Sequence, residues 1–96
     1  MKPSTALALN RDAVREAMSR FRASNPRVFG SVLHGTDRQG SDLDILIDPL
    51  PGATLFDIGG LQVALEELLG VSVDVLTAED LPPRFRSHVL AEARPV

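Results

Sequence analysis

Two aspartates spaced i, i+2, Asp42 and Asp44, enter the apolar run Leu43, Ile45, Leu46, Ile47. Residues two apart on a β-strand project from the same face, with Cα atoms about 6.5 to 7 Å apart. Two carboxylates so placed repel, and one of them holds its proton more tightly unless positive charge lies between them. A hard divalent cation meets that need. Magnesium takes oxygen ligands, keeps several waters, and uses one or two carboxylates together with substrate phosphates. The spacing therefore predicts a metal platform at Asp42 and Asp44 that works on a phosphate compound.

The stretch from Phe29 to Asp48, FGSVLHGTDRQGSDLDILID, holds a second chemical feature in Gly30-Ser31. A glycine at a strand end lets backbone amides approach an anion. A helical turn starting at Ser31 would add amides and a positive dipole end, and the serine hydroxyl one further donor. A phosphate cradle beside metal-binding carboxylates predicts a site for a nucleoside triphosphate.

The elements that must position these groups follow from the pattern. Arg27-Val28-Phe29 reads as a strand ending at Gly30, after Ser24-Asn25-Pro26 breaks the preceding helix. The polar loop Gly35 to Gly40 is expected to be mobile before nucleotide binds, with Asp37 serving its turn. A second strand, Leu43 to Ile47, carries Asp42 and Asp44 at and just inside its N-terminal edge, and Asp48, before Pro49, ends it. In Val71 to Leu76 alternation predicts a third strand with Val71, Val73 and Val75 buried. Asp74 then takes the opposite face and, if this strand pairs beside the second, points the same way as Asp42 and Asp44.

Helices cover the other face. Val14, Ala17, Met18 and Phe21 at i, i+3, i+4, i+7 predict a helix from Arg11 to Arg22, with Asn10 as N-cap and Leu9 stapled to Val14. Arg11, Arg15, Arg20 and Arg22 lie largely off that stripe and read as a solvated face; Met1 to Ala8 reads as loosely ordered. Thr54 and Asp57 resemble a capping box, Ile58, Leu61, Leu65, Leu68 and Leu69 form an apolar stripe, and Gly70 is a natural terminator. Gly59-Gly60 either delay this helix to Leu61 or permit close approach to the sheet. Pro82-Pro83 opens a last helix to about Ala93, with Phe85, Val89 and Ala93 packing inward. His88 has no metal-ligand spacing to another histidine and reads as structural.

The chain of 96 residues makes one small domain, 1–96, of α/β (α+β) class: a small mixed β-sheet with helices packed on one face. It contains no cysteine, which excludes a disulfide framework and thiolate metal sites. No apolar run approaches the about 18 to 20 residues a membrane span needs, and the N-terminus lacks the apolar core of a signal peptide, so a cytoplasmic location is expected. A net charge of −3 disfavours a nucleic acid as principal partner. There is no tyrosine, so any tyrosine-directed chemistry acts on another molecule.

The ordered set Gly30-Ser31, Gly35, Ser41-Asp42-x-Asp44 resembles the signature of the DNA polymerase β-like nucleotidyltransferase superfamily, and the short chain is similar to its minimal branch, the MntA-type antitoxins. That resemblance implies the polymerase β-like fold and catalytic acids at Asp42, Asp44 and Asp74 that bind two Mg²⁺ ions. It also implies nucleotide contacts at Gly30, Ser31 and Ser41. The implied activity is Mg-dependent transfer of AMP from ATP to a tyrosine of a partner HEPN-domain RNase toxin, which the transfer silences; the partner completes the cleft. Two other readings stay open at this point: an antitoxin that neutralises its toxin by occlusion alone, and transfer to a small molecule or RNA. His34 stands where many relatives place Arg or Lys, which predicts weaker phosphate binding at neutral pH.

Overall fold

The computed structural model describes residues 1–96. Helices α1 (Pro3–Leu9) and α2 (Arg11–Arg20) precede strand β1 (Ala23–Phe29), the short helix α3 (Gly30–His34) and strand β2 (Leu43–Pro49). Helix α4 (Leu55–Leu69), strand β3 (Val73–Leu76), a 3-10 turn (Ala78–Asp80), helix α5 (Pro83–Glu92) and strand β4 (Arg94–Pro95) complete the chain. The sheet order is β3-β2-β1-β4. Strand β1 is antiparallel to both β2 and β4, whereas β2 and β3 are parallel. A parallel pair needs a crossover, and α4 supplies it.

The core forms where the strand and helix periods meet. Leu43, Ile45 and Ile47 of β2 and Val73 and Val75 of β3 join Val14, Ala17 and Met18 of α2 and Leu61, Leu65 and Leu69 of α4 in one 16-residue cluster. Each large aliphatic side chain so buried contributes about 1.5 to 3 kcal/mol. The capping box at α4 is formed, with the Thr54 side chain and Asp57 bonding each other's backbone amides, and Gly70 ends the helix at φ 68°.

Several expectations are corrected. The N-terminal residues are not loose: Pro3 opens α1, whose Pro3, Ala6 and Leu7 are buried. Asn10 makes no side-chain cap for α2; its Nδ2 donates back to the Ala6 carbonyl and closes α1 instead. Leu9 is exposed, so it staples nothing. Helix α2 ends at Arg20 rather than Arg22, and β1 begins at Ala23. A register shift between Ser24 and Arg27, with Asn25 at φ 53°, lets Pro26 sit within the strand without holding a ladder position.

Gly59 and Gly60 do not delay α4, which is helical from Leu55. The close approach at Gly60 is to helix α2's end rather than to the sheet: an added Cβ would stand 2.8 Å from Phe21 Cε1. Strand β3 begins at Val73, two residues later than expected. Helix α5 buries none of its residues, and Phe85 is 48% exposed. Its anchors are polar: Arg86 donates to the carbonyls of Ala78, Glu79 and Leu81. The two-residue β4, which pairs Arg94 and Pro95 with Val28 and Arg27, has no counterpart in the expected elements.

Candidate active site

Register places the acids. Asp44 pairs with Asp74 on the parallel neighbour β3 and with Phe29 on the antiparallel neighbour β1. Adjacent strands lie about 4.8 Å apart, so Asp44 and Asp74 are held side by side on one face, with Asp42 two residues earlier. Asp44 is half-buried, while Asp42 and Asp74 are exposed. Leu46 shares the face of Asp44 yet is fully buried, and with Leu81 it lies outside the main core. This face is therefore covered at Leu46 and open at the acids.

The electrostatics of the trio follow from this crowding. Asp44 is pushed up to about 6, chiefly because burial strips water from its charged form, then because the charges of Asp74 and Asp42 oppose ionisation and the Asp74 carboxyl hydrogen-bonds the protonated group. No Lys, Arg or His relieves it. The ion pairs of the chain are Arg15–Asp12, Arg27–Asp48, His34–Glu92 and His88–Glu92, none of which includes the three acids. Asp48 does not end its strand, which continues to Pro49 paired with Ala23; its carboxylate accepts from Arg27 at 2.6 Å and from Asn25 Nδ2 at 2.9 Å.

Gly30 abuts this cluster. It sits at φ 73°, and a Cβ there would overlap Oδ2 of Asp44. Glycine is required on both counts, since the left-handed region and the missing side chain are what it alone offers cheaply. Helix α3 begins at this residue, and no side chain caps its first amides. The Ser31 hydroxyl makes no hydrogen bond within the chain, so it and the uncapped first amides of α3 are free to bond an anion. Ser41 lies beside Asp42, but its hydroxyl accepts from the Arg38 amide at 2.9 Å and closes the loop.

Two other residues have unforeseen partners. Asp37 does not serve its own turn: it is buried, and its Oδ2 accepts from the Ser4 amide at 2.9 Å, capping α1 from 33 residues away. That bond holds its pKa below the usual carboxylate value. The loop is thereby pinned to α1 at Asp37. His34 is turned toward α5, its Nε2 3.1 Å from a Glu92 oxygen, with the exposed His88 3.5 Å from the same carboxylate. Local spacing carries no sign of either pairing.

No group of three or more His, Asp or Glu side chains is close enough to hold a metal ion by itself. The donors nevertheless suit a hard cation that completes its shell with water and phosphate: oxygen ligands only, like charges adjacent, and no protein cation between them. With Gly30 at the start of α3 against Asp44, the arrangement has the chemistry to bind a metal-complexed polyphosphate.

The profile of the "Nucleotidyltransferase domain" family matches residues 11–96. The sequence is 35% identical over 78 residues to the protein adenylyltransferase MntA of Thermococcus cleftensis, spanning 81% of this chain and 79% of the relative. A solved structure described as a minimal nucleotidyltransferase superposes with a TM-score of 0.86 at 46% identity, over 100% of this chain and 97% of the other. A crystal structure of a toxin-antitoxin with AMP-PNP has the same fold, with a TM-score of 0.74 at 18% identity over 90% of this chain and 71% of the other.

Proposed function

The chain belongs to the nucleotidyltransferase domain family, and on that premise we propose that it is the antitoxin of a toxin-antitoxin pair, a protein adenylyltransferase that moves AMP from ATP to a tyrosine of a HEPN-type RNase toxin. The observation that carries this is the in-register pair Asp44 and Asp74, with Asp42 beside them, no cation between, and Gly30 against Asp44. The name of the Thermococcus relative and the toxin-antitoxin structure support the acceptor class and the partner. The absence of tyrosine in this chain supports an acceptor in trans. No helix is long and apolar enough to cross a membrane; a cytoplasmic site of action fits an RNase partner.

In this reading residues 1–96 act as one minimal transferase unit whose cleft the toxin completes. The backbone at Gly30 and the Ser31 hydroxyl hold the triphosphate, and Ser41 keeps the loop before Asp42 in shape. Asp42, Asp44 and Asp74 would hold Mg²⁺, two ions by analogy with the family, which when bound would neutralise phosphate charge and make the acceptor hydroxyl more acidic. The acceptor oxygen forms a bond to the α-phosphorus while the bond to the bridging oxygen breaks, and pyrophosphate leaves with that electron pair. Asp74, the exposed acid nearest the open edge, orients the acceptor hydroxyl and passes its proton to solvent. Asp44, half-buried against Gly30, would hold the cation through which the reacting phosphate binds.

The test is the intact mass of the toxin after incubation with this protein, ATP and Mg²⁺, followed by peptide mapping. The reading requires added AMP on a tyrosine and loss of RNase activity. A toxin silenced with no change in mass would replace it with occlusion, and AMP found instead on a small molecule or RNA would move the acceptor class.

A further inference from the structure

Strand β3 is one edge of the sheet, so its outward amides lack a neighbouring strand. They are bonded all the same. The Val73 amide donates to Glu66 Oε2 at 3.1 Å, and the Val75 amide donates to Gln62 Oε1 at 3.1 Å. The two acceptors stand at i, i+4 on α4, about 6 Å apart along the helix axis. The two amides stand at i, i+2 on the strand, about 6.5 to 7 Å apart. One helical turn thus matches one strand repeat, and α4 presents side-chain acceptors in the register that a further strand would use.

Asp74 is the residue between the two bonded amides. Because successive amides of a strand point to opposite sides, its own N–H is directed toward β2, on the side where it pairs with Asp44. Its carboxylate is exposed, with no ion pair to hold it. The placement of Asp74 against Asp44 therefore depends on the backbone of a four-residue strand at the sheet edge. Edge strands of this length fray unless something satisfies their outer groups.

We infer that Gln62 and Glu66 are positioning residues for Asp74: their side chains clamp β3 from outside and hold the third carboxylate in register with Asp44. They touch neither substrate nor metal. The same contacts block addition of a foreign strand at this edge. The catalytic part of this inference rests on the proposed transferase reading; the clamp itself does not.

The experiment compares the wild type with the double variant Gln62→Ala/Glu66→Ala and with Gln62→Glu and Glu66→Gln, each of which keeps an acceptor oxygen. Amide exchange is read by ¹⁵N NMR, AMP transfer to the toxin by kcat and KM, and metal approach by titrating Mg²⁺ alone against the Asp74 amide shift. Loss of a bond worth about 1 kcal/mol speeds exchange at Val73 and Val75 about 5-fold, with Ile45 and Ile47 in the core unchanged. In the double variant kcat falls about 10-fold, KM for ATP stays within about 2-fold, and the Mg²⁺ midpoint at Asp74 rises. The acceptor-keeping variants restore all three.

Faster exchange with unchanged kcat and an unchanged Mg²⁺ midpoint overturns the positioning role, and unchanged exchange overturns the clamp. If the wild type moves no AMP, the transferase reading fails, and exchange with the Mg²⁺ midpoint still decides the clamp.

Discussion

Gly30, the first residue of α3, lies so close to Asp44 of β2 that a methyl group on Gly30 would overlap Oδ2 of the aspartate and stand 3.2 Å from its Cγ. Backbone at the start of α3 and carboxylate on β2 thus share one wall of the site. Gly30→Ala adds a clash to a left-handed φ of 73° and is expected to cost about 1 to 3 kcal/mol of stability. It is also expected to slow AMP transfer by about 100-fold by displacing Asp44. Thermal melts and transfer assays on the same sample check both.

Asp44→Asn should separate folding from function. Raising the folded pKa to about 6 means that ionised Asp44 opposes folding. The penalty is absent below the unfolded value of about 3.9, grows as pH rises toward the folded value, and is complete above it. Because the group is half exposed, the variant should gain only about 1 kcal/mol at pH 7.5, or about 4 to 8 °C in Tm. At pH 3.5 the two proteins should melt together. Mg²⁺ should raise the wild-type Tm and close the gap.

Asp37→Ala removes the acceptor at the N-terminus of α1. Losing such a cap costs about 0.5 to 2 kcal/mol. Asp37 is held below its ordinary pKa, so its contribution is present above the unfolded value and fades as pH falls through the lowered folded value. Melts of wild type and variant should therefore differ at neutral pH and draw together in acid, as pH falls below the ordinary carboxylate value. A gap that persists there would mean that the carboxylate charge is not what caps α1.

The paired glycines of α4 offer an internal control. A Cβ at Gly59 meets nothing within 4 Å, whereas one at Gly60 meets Phe21. Alanine gains up to about 1 kcal/mol over glycine in a helix. Gly59→Ala should therefore stabilise by about that amount, and Gly60→Ala should destabilise despite the same propensity gain. Phe21→Leu should relieve the second effect. Chemical denaturation of the three variants reads it directly.

What could be read from the sequence was what local chemistry encodes. The acid pair at the start of β2, the Thr54 and Asp57 capping box, the Gly70 terminator and the face of Asp74 each follow from spacing within a few residues. What escaped depends on distant partners. Helix α1 is capped by Asp37 and shows no capping residue of its own, so it read as a loose end. The shift at Asn25 breaks the alternation of β1 and hid its first half. Strand β4 has two residues and exists only through β1. Helix α5 carries a plausible apolar stripe, yet Arg86 and Glu92 hold it by polar contacts and leave Phe85 half in solvent.

The central claim is that Asp74 works with Asp42 and Asp44 as one site for adenylyl transfer. The direct measurement is the amount of AMP delivered from α-labelled ATP to the toxin by wild type and by Asp74→Asn, an exposed substitution that leaves the core untouched. The predicted result is a fall of at least about 100-fold with a Tm no lower than that of wild type, since loss of the Asp74 charge also relieves Asp44. Transfer by Asp74→Asn at the wild-type rate would contradict it.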